Sequence, residues 1–244
     1  MKALVAVPRD DRYPWRAIDA GVRAAGLRPV VESGWDVLVT WSPWVRSPRE
    51  RLARQSRIVV VVENGWLTPI NGVRYYQVQL NSWNRGHGAR FVGGPADRWQ
   101  SWGVELRPWR ATLGAPYMVL GQSGHPYDRR SVAPNWANEI LDYYAPSGAF
   151  LRPKASGTPL IEDIASAGAA VTWSSNAASW CLVNGLPVIA YSETLMTRDL
   201  AVGPGDPWVP GDRESVFSAL AWAQWNAEEL ASGEPFRRLV ESCS

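Results

Sequence analysis

Short apolar runs alternate with stretches of helical spacing along the 244-residue chain. Residues 3–7 form the first run, closed by Pro8-Arg9-Asp10-Asp11, and residues 15–25 read as a helix stopped by Gly26. Residues 28–31 and 36–40 read as two further strands, the second entering the turn Trp41-Ser42-Pro43-Trp44. Residues 47–55 have the look of a short charged helix, with Ser47 as cap and Pro48 at its first position. Five consecutive β-branched residues follow at 58–62. A run of that kind is expected of a strand covered on both faces, as in a parallel sheet. Residues 66–113 are irregular apart from a strand-like piece at 73–80, and Arg107-Pro108-Trp109 reads as an extended linker.

A second alternation begins at residues 117–120, a strand that runs into Gly121-Gln122-Ser123-Gly124. A helix at 135–144 and a short strand at 150–154, ending in the two cations Arg152 and Lys154, come next. Residues 159–167 read as a helix capped by Thr158. Then come an apolar run from 169, the polar turn Ser174-Ser175-Asn176, a short helix at 177–183 stopped by Asn184-Gly185, and a strand from 187 to 191. That is a compact βαβ unit. A loop-rich stretch leads to a long helix expected over 213–231, capped by Asp212, and a final one over 235–243. The pattern predicts an α/β protein of two Rossmann-like domains facing a cleft, with the C-terminal helices crossing back to the first. The expected divisions are 1–113, 114–212 and 213–244.

Composition narrows the function classes. Apolar residues make up 46% and charged residues 20%, an ordinary soluble balance. The net charge of +2 is too mild to argue for nucleic acid by itself, and only two of the 25 cationic residues are lysines. Arginine suits two-point binding of phosphate or carboxylate. Two cysteines and two histidines, scattered, give neither a disulfide framework nor a zinc constellation. The opening apolar run is too short for a signal peptide or a membrane span, which predicts a cytoplasmic protein. Fifteen tryptophans are many. Those at 41, 44, 66, 83, 99, 102 and 109 fall in loop-like sequence, where they serve either as core or as stacking platforms.

In open α/β sheets ligands gather at the carboxyl ends of the strands. In the first half those ends carry Arg9, Asp10, Trp41 and Glu63, with Asn84 and His87 on the irregular stretch. Glu63 ends the most apolar strand and is read either as a general base or as an ordinary strand-end carboxylate. In the second half the ends carry Gln122, Ser123, Arg152, Lys154 and the Ser174-Ser175-Asn176 turn. The turn stands at a helix start, where its serines act either as caps or as part of an anion site.

The order Arg152-Pro153-Lys154, the helix Pro159-Leu160-Ile161-Glu162-Asp163-Ile164-Ala165, the strand and turn from Val171 to Ser175, and Gly185-Leu186-Pro187-Val188-Ile189 resembles the C-terminal half of GT-B glycosyltransferases. The likeness is to the capsule and Kdo-transferase-like group and to short bacteriophage proteins of that kind. It covers residues 152–189, and Ala223-Gln224-Trp225 also looks like those phage proteins. In that group the arginine-proline-histidine segment and the serine loop hold the nucleotide of the donor sugar. The resemblance therefore implies donor binding at Arg152, Ser174, Ser175 and Asn176, with Lys154 in place of the histidine. It implies a catalytic base in the N-terminal domain, for which Glu63 and Asp10 are the candidates, and no Asp-x-Asp metal motif.

The expectation is a metal-independent glycosyltransferase. It would move a sugar from a nucleotide-sugar donor, for example a UDP-sugar, to an acceptor hydroxyl. The acceptor is either a hydroxymethylated pyrimidine in phage DNA or a saccharide, held by Arg9, Trp41, Asn84 and His87. Two alternatives use the same features: a nucleotide-sugar epimerase, and a non-enzymatic protein that binds nucleotide or nucleic acid.

Overall fold

The computed structural model describes residues 1–31, 34–41, 56–82, 85, 89–110, 116–121, 132–154 and 156–243. The chain divides into two compact units, Met1–Trp102 with Ser218–Ser244, and Gly103–Phe217. The expected helix at 47–55 lies outside the described residues.

Among the described residues the first unit contains β1 (Lys2–Ala6), α1 (Trp15–Ala24), β2 (Arg28–Val30), β3 (Val37–Trp41), β4 (Ile58–Asn64), β5 (Tyr75–Leu80) and α2 (Asp97–Ser101). The β-branched run becomes β4, parallel to β3 and antiparallel to β5. Val60, Val61 and Val62 are all buried, so both faces of this strand are covered. The sheet is mixed rather than purely parallel, because the chain after β4 returns as β5 through a bridge between Ile70 and Val73. One face carries Ala3, Val39, Val60, Val62, Tyr76 and Val78 and packs on Ile18 and Val22 of α1. Register puts Thr40, Val61, Glu63, Gln77 and Gln79 on the other face.

The second unit contains β6 (Tyr117–Leu120), α3 (Trp136–Tyr144), β7 (Phe150–Arg152), α4 (Leu160–Ser166), β8 (Ala169–Thr172), α5 (Ala177–Val183) and β9 (Val188–Ala190). Its strands are all parallel, in the order β7-β6-β8-β9. Two readings are corrected here. Thr158 does not cap α4; Pro159 holds that position with no side-chain bond. The Arg107-Pro108-Trp109 stretch, expected as an extended linker, belongs to the second unit and is tied into it. Its backbone bonds to Val183 and its neighbour Arg110 to Gly185. Arg213 adds hydrogen bonds to the carbonyls of Leu182 at 2.7 Å and Arg107 at 2.6 Å, and lies over the Trp109 ring at 4.0 Å. A guanidinium on the last carbonyls of α5 satisfies groups that the helix leaves open and opposes its negative end. Gly185 fits there because any Cβ would fall 2.0 Å from the Pro108 carbonyl oxygen.

The expected long helix at 213–231 is broken. α6 (Arg213–Leu220) does begin after Asp212, whose carboxylate accepts the Ser215 N–H at 3.1 Å. The chain then forms β10 (Gln224–Asn226), α7 (Ala227–Ala231) and α8 (Glu234–Glu241). β10 pairs antiparallel with β5 and completes the sheet order β10-β5-β4-β3-β1-β2. Asn226 starts α7 through a capping box with Glu229. The C-terminal segment thus returns to the first unit, where Trp225, Leu230, Phe236, Leu239 and Val240 join the core. Contact with α1 is close: a Cβ on Gly21 would lie 1.9 Å from the Leu230 carbonyl oxygen.

Candidate active site

Register aligns Arg152 with Leu120, Leu120 with Thr172, and Thr172 with Ala190. The residues that follow these strands therefore share the carboxyl edge of the second sheet: Gly121, Pro153-Lys154, Trp173 to Asn176, and Tyr191. Arg152, Lys154, Ser174, Ser175 and Asn176 are brought to one edge. Gln122 and Ser123, expected at the same edge, lie outside the described residues.

The serine turn is built from within. Thr172, fully buried, accepts the Ser175 N–H at 2.9 Å on its hydroxyl, and the Ser175 hydroxyl accepts the Ala177 N–H at 3.3 Å. Ser175 therefore takes the first N–H of α5, while the N-cap position itself is held by Asn176 with no side-chain cap bond. Ser174, Ser175 and Asn176 remain half-buried. Behind them Cys181 is wholly buried, and burial pushes its thiol up to about 12, so it supplies no nucleophile.

Arg152 is not an isolated cation. Its guanidinium pairs with Asp163 of α4 and donates to the Thr158 carbonyl at 3.1 Å, so it ties the end of β7 to the start of α4. Both members of the pair are largely shielded, and the carboxylate offsets the charge that Arg152 presents at the edge. Lys154, two residues on, is exposed.

At the carboxyl edge of the first sheet the two candidate bases differ. Arg12 grips Asp10 with its backbone N–H at 3.0 Å, its Nε at 3.1 Å and its Nη2 at 3.0 Å. The side-chain hydrogen bonds from Arg12 hold the Asp10 carboxyl below the usual carboxylate range, which makes it a weaker base. Glu63 is half-buried, and its Oε1 accepts the backbone N–H and the side-chain amide of Asn64, both at 2.9 Å. Arg74 donates to the Asn64 amide oxygen at 3.4 Å and Gln77 to the Asn64 carbonyl at 2.9 Å. Sequence reasoning missed Arg74, Gln77 and Thr172. For Thr172 a signal existed, a threonine three residues before a serine at a turn; for the others the information lies in strand pairing.

Arg9 is exposed at the end of β1, with its guanidinium 5.7 Å from the Trp15 ring centre. Trp41 is buried rather than presented in a loop, and stands edge-on to Tyr13 at 4.9 Å and Tyr76 at 6.1 Å. Trp66, Trp99 and Trp102 are likewise buried, so they serve the core and not a stacking surface. Asn84 and His87 lie outside the described residues.

No protein-family model matches the sequence, and no curated protein does. Solved structures do. A β-Kdo 2,7-transferase domain of KpsC from Thermosulfurimonas dismutans superposes with a TM-score of 0.59 at 14% identity, covering 96% of this chain and 98% of that one. The β-Kdo 2,4-transferase of the same KpsC gives 0.57 at 10% identity over 89% of each chain. The chain has a GT-B-like fold. Two Rossmann-like domains, expected from the strand and helix alternation, are what these structures share with it. Among the described residues, no helix is long and apolar enough to cross a membrane.

Proposed function

We propose that this GT-B-like protein is a glycosyltransferase that moves a sugar from a nucleotide-sugar to an acceptor hydroxyl. The observation that carries the reading is the edge of the second sheet. There Arg152, Lys154 and the Ser174-Ser175-Asn176 turn stand at one edge of a fold similar to that of two Kdo transferases. Cations and helix-start donors at one edge suit the phosphates of a nucleotide. Glu63 is the preferred base over Asp10, whose carboxylate is occupied by Arg12. In the transfer, the Glu63 carboxylate takes the acceptor hydroxyl proton and the acceptor oxygen bonds to the anomeric carbon. The bond from that carbon to the leaving phosphate oxygen breaks, and its electron pair departs with the nucleotide. Arg152, Lys154 and the serine turn offset the charge that builds there. The step needs no bound metal.

The acceptor we favour is a hydroxymethylated pyrimidine in DNA, with a saccharide as the other class. A base in duplex would have to be turned out of the stack to react. A thermal-shift series with nucleotide-sugars tests the donor half of the reading. At about 100 times its dissociation constant a true donor adds roughly 2.7 kcal/mol of stability. Incubation of that donor with plain and hydroxymethylated DNA, with and without chelator, then tests the acceptor and the metal. Absence of a shift with every nucleotide would sink the transferase reading.

A further inference from the structure

Glu63 is held by the residue next to it. Asn64 donates its backbone N–H and its side-chain Nδ2, both at 2.9 Å, to the same oxygen, Oε1. Asn64 also accepts on both of its own oxygens, from Gln77 Nε2 on the backbone carbonyl at 2.9 Å and from Arg74 Nη2 on Oδ1 at 3.4 Å. Gln77 stands opposite Glu63 in register on β5, and its Oε1 accepts from Gln79 Nε2 at 3.1 Å. Each of these donors points along the row towards the carboxylate.

The row has two inputs of different kind. Gln77 and Gln79 are each 1% exposed, so their amides lie out of water, where an idle polar group would be costly. Hydrogen bonds joined head to tail polarise one another, and more so in a low dielectric. Arg74 is exposed, lies 5.9 Å from the Tyr76 ring centre and adds a full positive charge on the far side of Asn64. The two ends fix the Asn64 amide in one sense. Turned over, it would set its oxygen against the carboxylate and its NH2 against the guanidinium.

Two donors on one carboxylate oxygen favour its charged form and resist rotation of the group. A base must be ionised before it takes a proton, and it must keep the direction in which it takes it. Asp10 is the contrast, since its donors come from Arg12, a cation that pairs with it directly. Asn64 is neutral and brings the Arg74 charge no closer to Glu63 than one amide away. We infer that Asn64 is the positioning residue of this site: it holds the Glu63 carboxylate ionised and in one orientation, and Arg74 and Gln77 hold Asn64 to that task. The inference rests on the transferase reading above, in which Glu63 is the base, and assigns the group that prepares it.

The test is a pH titration of the full chain, carbon-13-labelled at the glutamate carboxyls and read by magnetic resonance, with the Glu63 signal identified by its loss in Glu63→Gln. The groups it senses are Asn64 beside Glu63, Gln77 opposite it on β5 and the Arg74 charge behind Asn64. Asn64→Ala should raise the proton affinity of that carboxyl by about threefold to about tenfold, because one donor to the charged form is lost. Arg74→Leu should raise it about twofold, and Arg74→Lys, which keeps a donor and the charge, should match the wild type. Arg74 is exposed, so its variants keep the fold and guard against a folding defect in Asn64→Ala. An unchanged titration in Asn64→Ala, or equal titrations in Arg74→Lys and Arg74→Leu, would overturn the inference. Turnover is read with the nucleotide-sugar that gives the largest thermal shift and hydroxymethylated DNA as acceptor. There Asn64→Ala should lower kcat about tenfold at unchanged KM, and a loss confined to KM would also overturn the inference. The transferase reading fails separately: no turnover in the wild type, or Glu63→Gln at the wild-type rate, removes it, and the carboxyl titrations still decide whether Asn64 grips Glu63.

Discussion

Arg98 and Glu229, separated by 131 residues, meet in a two-point ion pair, Nη1 to Oε1 at 2.7 Å and Nη2 to Oε2 at 3.0 Å. The same guanidinium donates to the carbonyls of Ala221 at 2.9 Å and Gln224 at 2.8 Å and lies over the Trp225 ring at 4.1 Å. Glu229 in turn closes the capping box that starts α7. One arginine therefore fastens the returning segment on both sides of β10.

Replacing Arg98 by alanine should cost about 3 kcal/mol, since it leaves Glu229 and two carbonyls without their partner in a largely shielded position. Lysine should recover little, because an ammonium cannot reproduce the planar fork. Urea unfolding monitored by tryptophan fluorescence reads both, and a loss below about 0.5 kcal/mol would show the tie to be idle.

Cys181 supplies a test by pH. Its thiol is raised from 9.0 to about 12, chiefly by burial. Above pH 9 the unfolded chain gives up this proton while the folded chain keeps it. The unfolded state then binds fewer protons, and stability falls as pH rises from 9 towards 12. Substituting Cys181 by alanine should remove that part of the slope. At pH 8 an aromatic disulfide reagent should label Cys243, which is exposed, and spare Cys181 until the protein unfolds. Rapid labelling of two thiols in the native protein would contradict this burial.

Glu63→Gln should leave the nucleotide-sugar thermal shift intact and lower the transfer rate by about two to four orders of magnitude, the usual contribution of a positioned base. Asp10→Asn should retain most activity, because Arg12 already occupies that carboxylate. An active Glu63→Gln with a dead Asp10→Asn would reverse the assignment.

Arg152→Ala removes both the cation proposed for the donor site and the partner of Asp163. It should weaken nucleotide-sugar binding and lower the melting temperature. Asp163→Asn isolates the second effect: it should also lower the melting temperature, yet keep donor affinity within about threefold, since the cation remains. Equal loss of donor affinity in the two variants would make Arg152 a positioning group for α4 rather than a ligand.

The local elements were legible where their signal was local. The β-branched run at Ile58 to Val62, the stop at Asn184-Gly185 and the capping role of Asp212 needed no distant partner. β10 was missed because its three residues sit between good helix formers, and only pairing with β5 makes them a strand. Its clue was the Asn226-to-Glu229 spacing of a capping box, which marks a fresh helix start inside the expected long one. At the site, the edge positions of Arg152, Ser174 and Glu63 followed from strand ends. The Asp163 partner of Arg152 did not, since that grip depends on how α4 packs beside β7. The loop-like tryptophans stayed open between core and stacking for the same reason: composition gives their number, and burial decides their use.

The return of residues 218–243 to the first unit orders events on the ribosome. The second unit is one uninterrupted piece, 103–217, and has every strand of its sheet once that piece is synthesised. The first unit, though begun earlier, must wait for Trp225, Leu230 and Phe236 before its sheet has its final edge and α1 its neighbour. During synthesis the half made first is the half that matures last, so its apolar α1 face is the nascent surface that a chaperone would meet.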